Sequence, residues 1–382
     1  MESNLANSLL QGYIFSMESS VNPLVGLRLA ALREAKGLTQ TDVARVMGLK
    51  SHQIVSSIEN GTRPMKGAEM AALVASYGIK PDFLTDPFRL IGEGQFCWRQ
   101  SHCSKDALYA YQERAGSWLA AYRALSRSQD RPGPRERLSL RLWEKSSFEL
   151  AMAEGERLTV DYNMGDVPAL LLPKVMEEDF GILVLMVDSD ERISGAACRL
   201  PEFDAVLVNR KENPGRRNFD LAHEFFHLLT WDKMPPNDIE DVNESGGSRV
   251  EQLANAFASA LLMPQRILSR FGEWRRLGDA ERASRMREVA DFFRVSVSAL
   301  HWRLVGLKLI GKLSKMLDVK APADEYLQDT PPAFSPTFMR VMAAAIERGD
   351  ISVGRLAKLI QIPRHALRSL FASHDIAAPV TV

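Results

Sequence analysis

The sequence predicts a multidomain protein, mainly α-helical, with an all-α helix-turn-helix first, an α+β domain in the middle and a small helical bundle last. Three observations carry that expectation. A length of 382 residues exceeds one typical domain and suffices for two or three with cores of their own. Apolar residues between Leu24 and Tyr77 recur at helical spacing between glycine turns. From about Leu138, short β-type runs lead into two apolar-faced helices, and the first of these contains His223-Glu224-Phe225-Phe226-His227.

Composition narrows the classes of function. Lys plus Arg equals Asp plus Glu at 48 each, so no global field draws the chain to nucleic acid or to a membrane surface, and any DNA contact must be local. The longest apolar runs, LLLP at 170–173 and ILVLMV at 182–187, are too short to span a bilayer. Residues 1–17 lack the basic start and continuous apolar core of a secretory signal. Three cysteines, Cys97, Cys103 and Cys198, cannot build a disulfide framework and point to the reducing cytoplasm. Cys97, His102 and Cys103 are chemically able to bind a metal, but Cys-x5-Cys is not a familiar ligand spacing. Residues 1–20 form an N-terminal extension that fits no module, with Met17 an alternative start.

The first domain is expected over 21–86. Leu27, Leu29, Ala30 and Leu32 give one apolar stripe, Gly37 stops that helix, and Thr39 is placed to cap the next. Gln40 to Met47 forms the second helix, Gly48 makes the turn, and Ser51 to Asn60 forms the third, with Ile54, Val55 and Ile58 facing inward. Met70 to Tyr77 continues the bundle. Helix, glycine turn and helix at this spacing is a helix-turn-helix.

The segment GLTQTDVARVMGLKSHQIVSSIENGTRP resembles the Cro/C1-type, or XRE, DNA-binding domain. The stretch between Gly48 and Gly61 is slightly longer than the commonest form. The resemblance implies double-stranded DNA as a partner, with the third helix in the major groove. His52, Gln53 and Ser56 would then face base edges, and Arg63 and Lys66 would contact phosphates. Between Val21 and Asp86 there are eight basic and six acidic residues. That small surplus fits a domain that binds DNA as a homodimer, or one that has turned to a protein partner.

Residues 87–137 read as a helical connector, with Leu108, Ala115, Leu119 and Tyr122 near helical spacing, ending in the polar, proline-containing linker SRSQDRPGPRER. The α+β domain is expected over 138–318. GILVLMVD at 181–188 is a buried strand, and ISGAACRL and FDAVLVN are two strands joined at Pro201-Glu202. The helix around His223 follows directly. A second helix begins near Arg249, carries Glu251, Ala254, Asn255, Phe257, Ala258, Leu261 and Leu262, and halts at Pro264.

Histidines four residues apart on a helix share a face and can grip one zinc ion, and Glu224, one step round, can reach a water beside it. The expected chemistry is peptide-bond hydrolysis. Two core histidines without a metal are the plainer alternative. A catalytic zinc takes three protein ligands and keeps one open position. Glu240, Asp241, Glu244 and Glu251 are candidates for the third, and Glu251 is the best because a rigid, apolar-faced helix would hold it. Asn255, one turn on, can support the site from behind. Tyr162 and His301 are the groups available as a second oxyanion donor, and both read more naturally as structural.

NFDLAHEFFHLL followed by EQLANAFASALLMP resembles the ImmA/IrrE family of zinc metallopeptidases, and the likeness covers roughly residues 160–310. The resemblance implies a zincin-like peptidase domain, zinc on His223, His227 and Glu251, and Glu224 as general base. One departure is Phe226, at a position often occupied by glycine, where it is expected to reshape the cleft wall. The helix, turn, helix rhythm at 291–310 resembles the end of this family's domain.

A linker is expected at 319–336, then a C-terminal helical domain at 337–382 with helices at Thr337 to Arg348, Ser352 to Gln361 and Arg364 to Ser373. It reads equally as a second helix-turn-helix or as a packing or dimerisation bundle. The whole implies a cytoplasmic zinc metalloendopeptidase joined to a DNA-binding domain and cutting a protein, a helix-turn-helix repressor, in response to a signal. The alternative is a DNA-binding regulator whose peptidase-like domain senses a metal, ligand or partner.

Overall fold

The computed structural model describes residues 24–101, 103–126, 137–190, 192–236, 239–241, 247–311, 330–380 and 382. The expected N-terminal extension, most of both linkers, His102, Glu244 and the side chains of Glu240 and Asp241 lie outside the described residues. The chain divides into two compact units, one running to Gly94 and taking in Gln112–Ala124, the other made of Gln95–Tyr111 and Leu125–Val382.

In the first unit, α1 (24–35), α2 (Gln40–Val46), α3 (His52–Glu59) and α4 (Gly67–Tyr77) follow the predicted helix and turn rhythm, and α5 (Pro81–Thr85) is a short helix beyond the predicted ones. Thr39 caps α2 as expected: its Oγ1 accepts from the Asp42 amide at 3.2 Å while its own amide donates to Asp42 Oδ2 at 3.0 Å. The core contains Leu29, Val43, Ala44, Met47, Val55, Ile58, Leu73 and Leu84. The fourth helix starts earlier than Met70 because Glu69, at its third position, accepts from the Lys66 amide at 2.8 Å.

This unit does not end at residue 86. Arg28 of α1 is fully buried and donates through Nε to Glu93 at 2.9 Å, and Arg123 lies 3.7 Å from the same carboxylate. A buried guanidinium needs a buried carboxylate, so residues 87–94 and part of α6 (Lys105–Leu125) are integral to it. The connector expected over 87–137 is therefore divided between the two units.

The second unit is built on a five-stranded sheet in the order β2-β4-β3-β1-β5. Its strands are β1 (Gln95–Gln100), β2 (Leu183–Val187), β3 (Ile193–Arg199), β4 (Asp204–Asn209) and β5 (Ile239–Asp241). The sequence anticipates β2, β3 and β4; in the structure β3 and β4 pair antiparallel. Strand β1 falls within the stretch expected to be a helical connector. It pairs antiparallel with β3 and parallel with β5. Phe96, Cys97 and Trp98 are buried in succession, so the alternation that marks a half-exposed strand is missing.

Five further helices complete the core around this sheet: α7 (Phe148–Asp161), α8 (Pro168–Glu178), α9 (Pro214–Thr230), α10 (Arg249–Leu262) and α11 (Gln265–Leu268). Helix α9 packs across β3 and β4 and against α10, and α10 packs along α7. Gly155 sets that last distance: a Cβ there would stand 2.6 Å from the Phe257 carbonyl oxygen and 3.1 Å from the Leu261 amide. Next come α12 (Asp279–Phe293) and α13 (Val297–Gly306), then the C-terminal helices α14 (Pro336–Arg348), α15 (Val353–Ile360) and α16 (Arg364–Ala372). The Phe334 amide donates to the Met186 carbonyl at 2.6 Å and so reaches the outer edge of β2.

Candidate metal centre

Helix α9 opens on Asn213, whose Oδ1 accepts from the Gly215 amide at 2.9 Å, and Pro214 fits the first turn because it has no amide hydrogen to lose. From Leu221 to Thr230 every residue is buried, since the helix has the sheet on one side and α10 on another. Helix α10 is capped by Ser248, whose Oγ accepts from the Glu251 amide at 3.3 Å. That cap fixes Glu251 in the first turn, facing α9.

His223 Nε2 lies 3.0 Å from His227 Nε2 and 3.0 Å from Glu251 Oε2, and His227 Nε2 lies 3.2 Å from Glu251 Oε1. Behind them, His223 Nδ1 donates to Asn255 Oδ1 at 3.0 Å. Among the described residues, His223, His227 and Glu251 are the one group of at least three His, Cys, Asp or Glu side chains able to hold a metal ion. Both histidines are fully buried.

The donor set fits a metal on chemical grounds. The hydrogen bond to Asn255 places the His223 proton on Nδ1, so Nε2 presents a lone pair to a second imidazole and to a carboxylate. Electron-rich atoms converge in this way around a cation. Tetrahedral zinc with bonds of about 2.1 Å sets neighbouring ligand atoms about 3.4 Å apart, and the observed separations of 3.0 to 3.2 Å are a few tenths shorter.

Glu224 is fully buried on the sheet side of α9. A Cβ at Gly195 of β3 would be in ordinary contact with Glu224 Cγ at 3.9 Å but would stand 2.8 Å from the Leu207 carbonyl oxygen of β4, so the backbone fits against β4 there only as glycine. Directly across from Gly195 on β1 is Arg99. It pairs at 3.2 Å with Asp220, one turn before Glu224, and Arg216 approaches the same carboxylate at 3.7 Å. Sequence reasoning missed Arg99 because it missed β1. The signal was the short apolar run Phe96-Cys97-Trp98 between glycine-rich and polar flanks.

Other expectations resolve differently. Phe226 does not form a cleft wall; it is fully buried, its ring 5.4 Å from that of Phe257 in the core. Tyr162 packs on Phe180 at 4.6 Å, and His301 is buried beside Trp302 at 5.4 Å, both structural settings. Cys97, Cys103 and Cys198 form no disulfide. In the first unit, His52 and Gln53 are exposed at the start of α3, Ser56 is half-buried and accepts from Asn60 Nδ2 at 3.3 Å, and Lys66 is exposed. Arg63 is engaged by Glu69 through two hydrogen bonds of 3.0 and 2.6 Å.

Residues 177–305 match the family described as the IrrE N-terminal-like domain of the M78 peptidases, and residues 24–86 match a helix-turn-helix domain. The chain carries an IrrE N-terminal-like domain. The match to that domain takes in β2, β3, β4, α9 and α10, and thus both halves of the centre. Helix α7 precedes it yet packs along α10. The chain is similar to the radiation response metalloprotease IrrE of Deinococcus radiodurans, with 37% identity over 109 residues, 27% of this chain and 31% of the relative. It is also similar to the HTH-type transcriptional regulator PrpR of Mycobacterium tuberculosis, with 25% identity over 285 residues, 65% of this chain and 57% of the relative. The matches thus span about a third and just over half the length of these two relatives. A helix-turn-helix domain and an IrrE N-terminal-like domain therefore stand in one chain. Among the described residues, no helix is long and apolar enough to cross a membrane.

Proposed function

We propose that this chain is a zinc-dependent regulatory endopeptidase joined to a DNA-binding domain, acting in the cytoplasm on a protein substrate. The observation that carries this reading is the convergence of His223, His227 and Glu251 with Glu224 on the same helix. In it, His223, His227 and Glu251 hold zinc, which when bound supplies Lewis acidity toward a water and a scissile carbonyl. Glu224 takes the proton of the attacking water and delivers it to the leaving amine. Asn255 keeps His223 in the tautomer whose Nε2 faces the centre. The metalloprotease named among its relatives supports the same reading.

The substrate we favour is a helix-turn-helix repressor, cut in response to a signal, because the peptidase-like domain shares its chain with a domain of that kind. His52 and Gln53 read base edges, and Lys66 contacts phosphate. Comparing the proteomes of cells that express wild type or Glu224→Gln tests this. One repressor fragment that depends on Glu224 is the expected result, and its absence, with zinc bound at one per chain, would overturn the peptidase assignment.

Two observations favour a second reading, a transcriptional regulator whose peptidase-like domain senses metal or ligand. The relative named as a transcriptional regulator matches 65% of the chain, and His223, Glu224 and His227 all have 0% exposure. On that reading Glu224→Gln leaves the regulated transcripts unchanged, whereas a zinc chelator alters them.

A further inference from the structure

The helix-turn-helix match ends at residue 86, yet its local geometry recurs near the other end of the chain. In the first copy α2 buries Val43, Ala44 and Met47, the chain turns on Gly48 at φ +67°, and the Leu49 amide donates back to the Ala44 carbonyl at 2.8 Å. In the second, α15 buries Leu356, Ala357 and Ile360, the chain turns on Gln361 at φ +55°, and the Ile362 amide donates back to the Ala357 carbonyl at 3.0 Å. The spacing of these five positions is identical. A hydroxyl caps both leading helices, Thr39 to the Asp42 amide and Ser352 to the Arg355 amide.

Beyond the turn the two copies differ by one residue. In the first copy Val55 and Ile58 point back into the bundle; in the second Leu367 and Leu370 do so one position sooner, so the turn is tighter. Gln361 holds a left-handed conformation that glycine would adopt at lower cost. Such a conformation is kept where the sharp exit from a helix matters.

The surfaces say what such a unit would bind. Residues 351–374 contain Arg355, Lys358, Arg364 and Arg368 and no aspartate or glutamate. On α16, His365, Arg368, Ser369 and Ala372 are exposed at positions i, i+3, i+4 and i+7 and form one polar stripe. A face for another protein would expose apolar side chains at its centre, and this stripe offers none larger than Ala372. A positively charged helix bearing arginine, histidine and serine suits phosphates and base edges. Arg368 donates to the main-chain oxygen of Val382, and the Arg364 guanidinium lies over Gly354; a duplex would exchange these contacts for its own.

We infer that α15 and α16 form a second DNA-reading helix-turn-helix, with α16 in the major groove. This inference stands apart from the peptidase reading, because Glu224→Gln leaves the DNA contacts untouched.

The test uses the full chain and a random-sequence duplex pool, with binding followed over a salt series. Wild type is expected to select two separate sequence elements. His365→Ala with Arg368→Ala removes one element and weakens binding to the selected duplex about tenfold to a hundredfold, and His52→Ala with Gln53→Ala removes the other. Lys358→Gln, exposed on α15, keeps the selected sequence and flattens the salt dependence by about one unit of slope. An unchanged affinity, salt slope and selected sequence in both C-terminal variants overturns the inference. So does a change of oligomeric state in sedimentation with DNA binding intact, which would make α16 a contact between copies.

Discussion

Replacing Gly155 by alanine sets two effects of opposite sign against each other. In a helix interior alanine is favoured over glycine by about 1 kcal/mol. Here the new methyl would stand 2.6 Å from the Phe257 carbonyl oxygen, a backbone atom that no rotamer change can move. An ordinary carbon to oxygen contact is about 3.3–3.6 Å, so α7 and α10 must part by roughly 0.7 Å or more. Overpacking of that kind costs about 1–3 kcal/mol. The clash outweighs the propensity gain, leaving a net loss of about 0–2 kcal/mol, with roughly 2–4 °C of melting temperature for each kcal/mol in a unit of this size. Because α10 carries Glu251 and Asn255, the displacement also loosens zinc by about tenfold to a hundredfold, the range for disturbed supports of a metal ligand. Calorimetry with and without zinc and a competition titration against a chelator measure both quantities. A melting temperature raised by the full propensity gain, with zinc affinity unchanged, would refute the reasoning.

Other outcomes rest on the same packing. Asn255→Ala removes the acceptor that orients His223 and is expected to weaken zinc by about 10–100-fold, while the melting temperature of the zinc-free protein stays near wild type; unchanged zinc affinity counts against the role given to Asn255. The hydrogen bond from Arg63, against the opposing effect of burial, lowers the Glu69 pKa below its ordinary 4.5. The pair therefore stabilises the first unit above that ordinary value, and the contribution is lost as pH falls through the lowered one. Acid unfolding followed by circular dichroism should show a component that Glu69→Gln removes, and superimposable profiles would contradict it. A fragment ending at Asp86 strands Arg28 without Glu93 and forfeits about 3–5 kcal/mol; extending it to Gly94 restores the partner, and thermal melts of the two fragments read the difference.

Much of this architecture is legible in the sequence, and where it is, the reason is local. The helices of the first unit announce themselves through Thr39, Gly37, Gly48 and Gly61, because caps and turns depend on a few adjacent residues. The spacing of His223 and His227 and the placement of Glu251 on an apolar-faced helix are equally local. Strand β1 is not legible, because its hydrogen bonds go to β3 and β5, far along the chain, and its burial runs through three successive residues. Phe226 is misread for a similar reason: its neighbour is Phe257, thirty-one positions on by residue number, and only the packing of α10 decides whether it faces core or cleft. Arg63 resembles a phosphate contact by composition, but Glu69 six residues later claims its guanidinium.

The division of the chain has a bearing on how such a protein can be inherited. The first unit is interrupted at Gly94, resumes at Gln112 and closes at Ala124, with the intervening stretch belonging to the other unit. A recombination that swapped the beginning of the gene at Gly94 would bring Arg28 and Glu93 but leave the resident Arg123 to meet a foreign bundle. The helix-turn-helix is therefore not a bead that can be exchanged by itself. On the proposed reading of α3 as the DNA-facing helix, lineages of this chain are expected to change their operators by substitution at His52 and Gln53, and to carry β1 and α6 with the N-terminal domain whenever it moves.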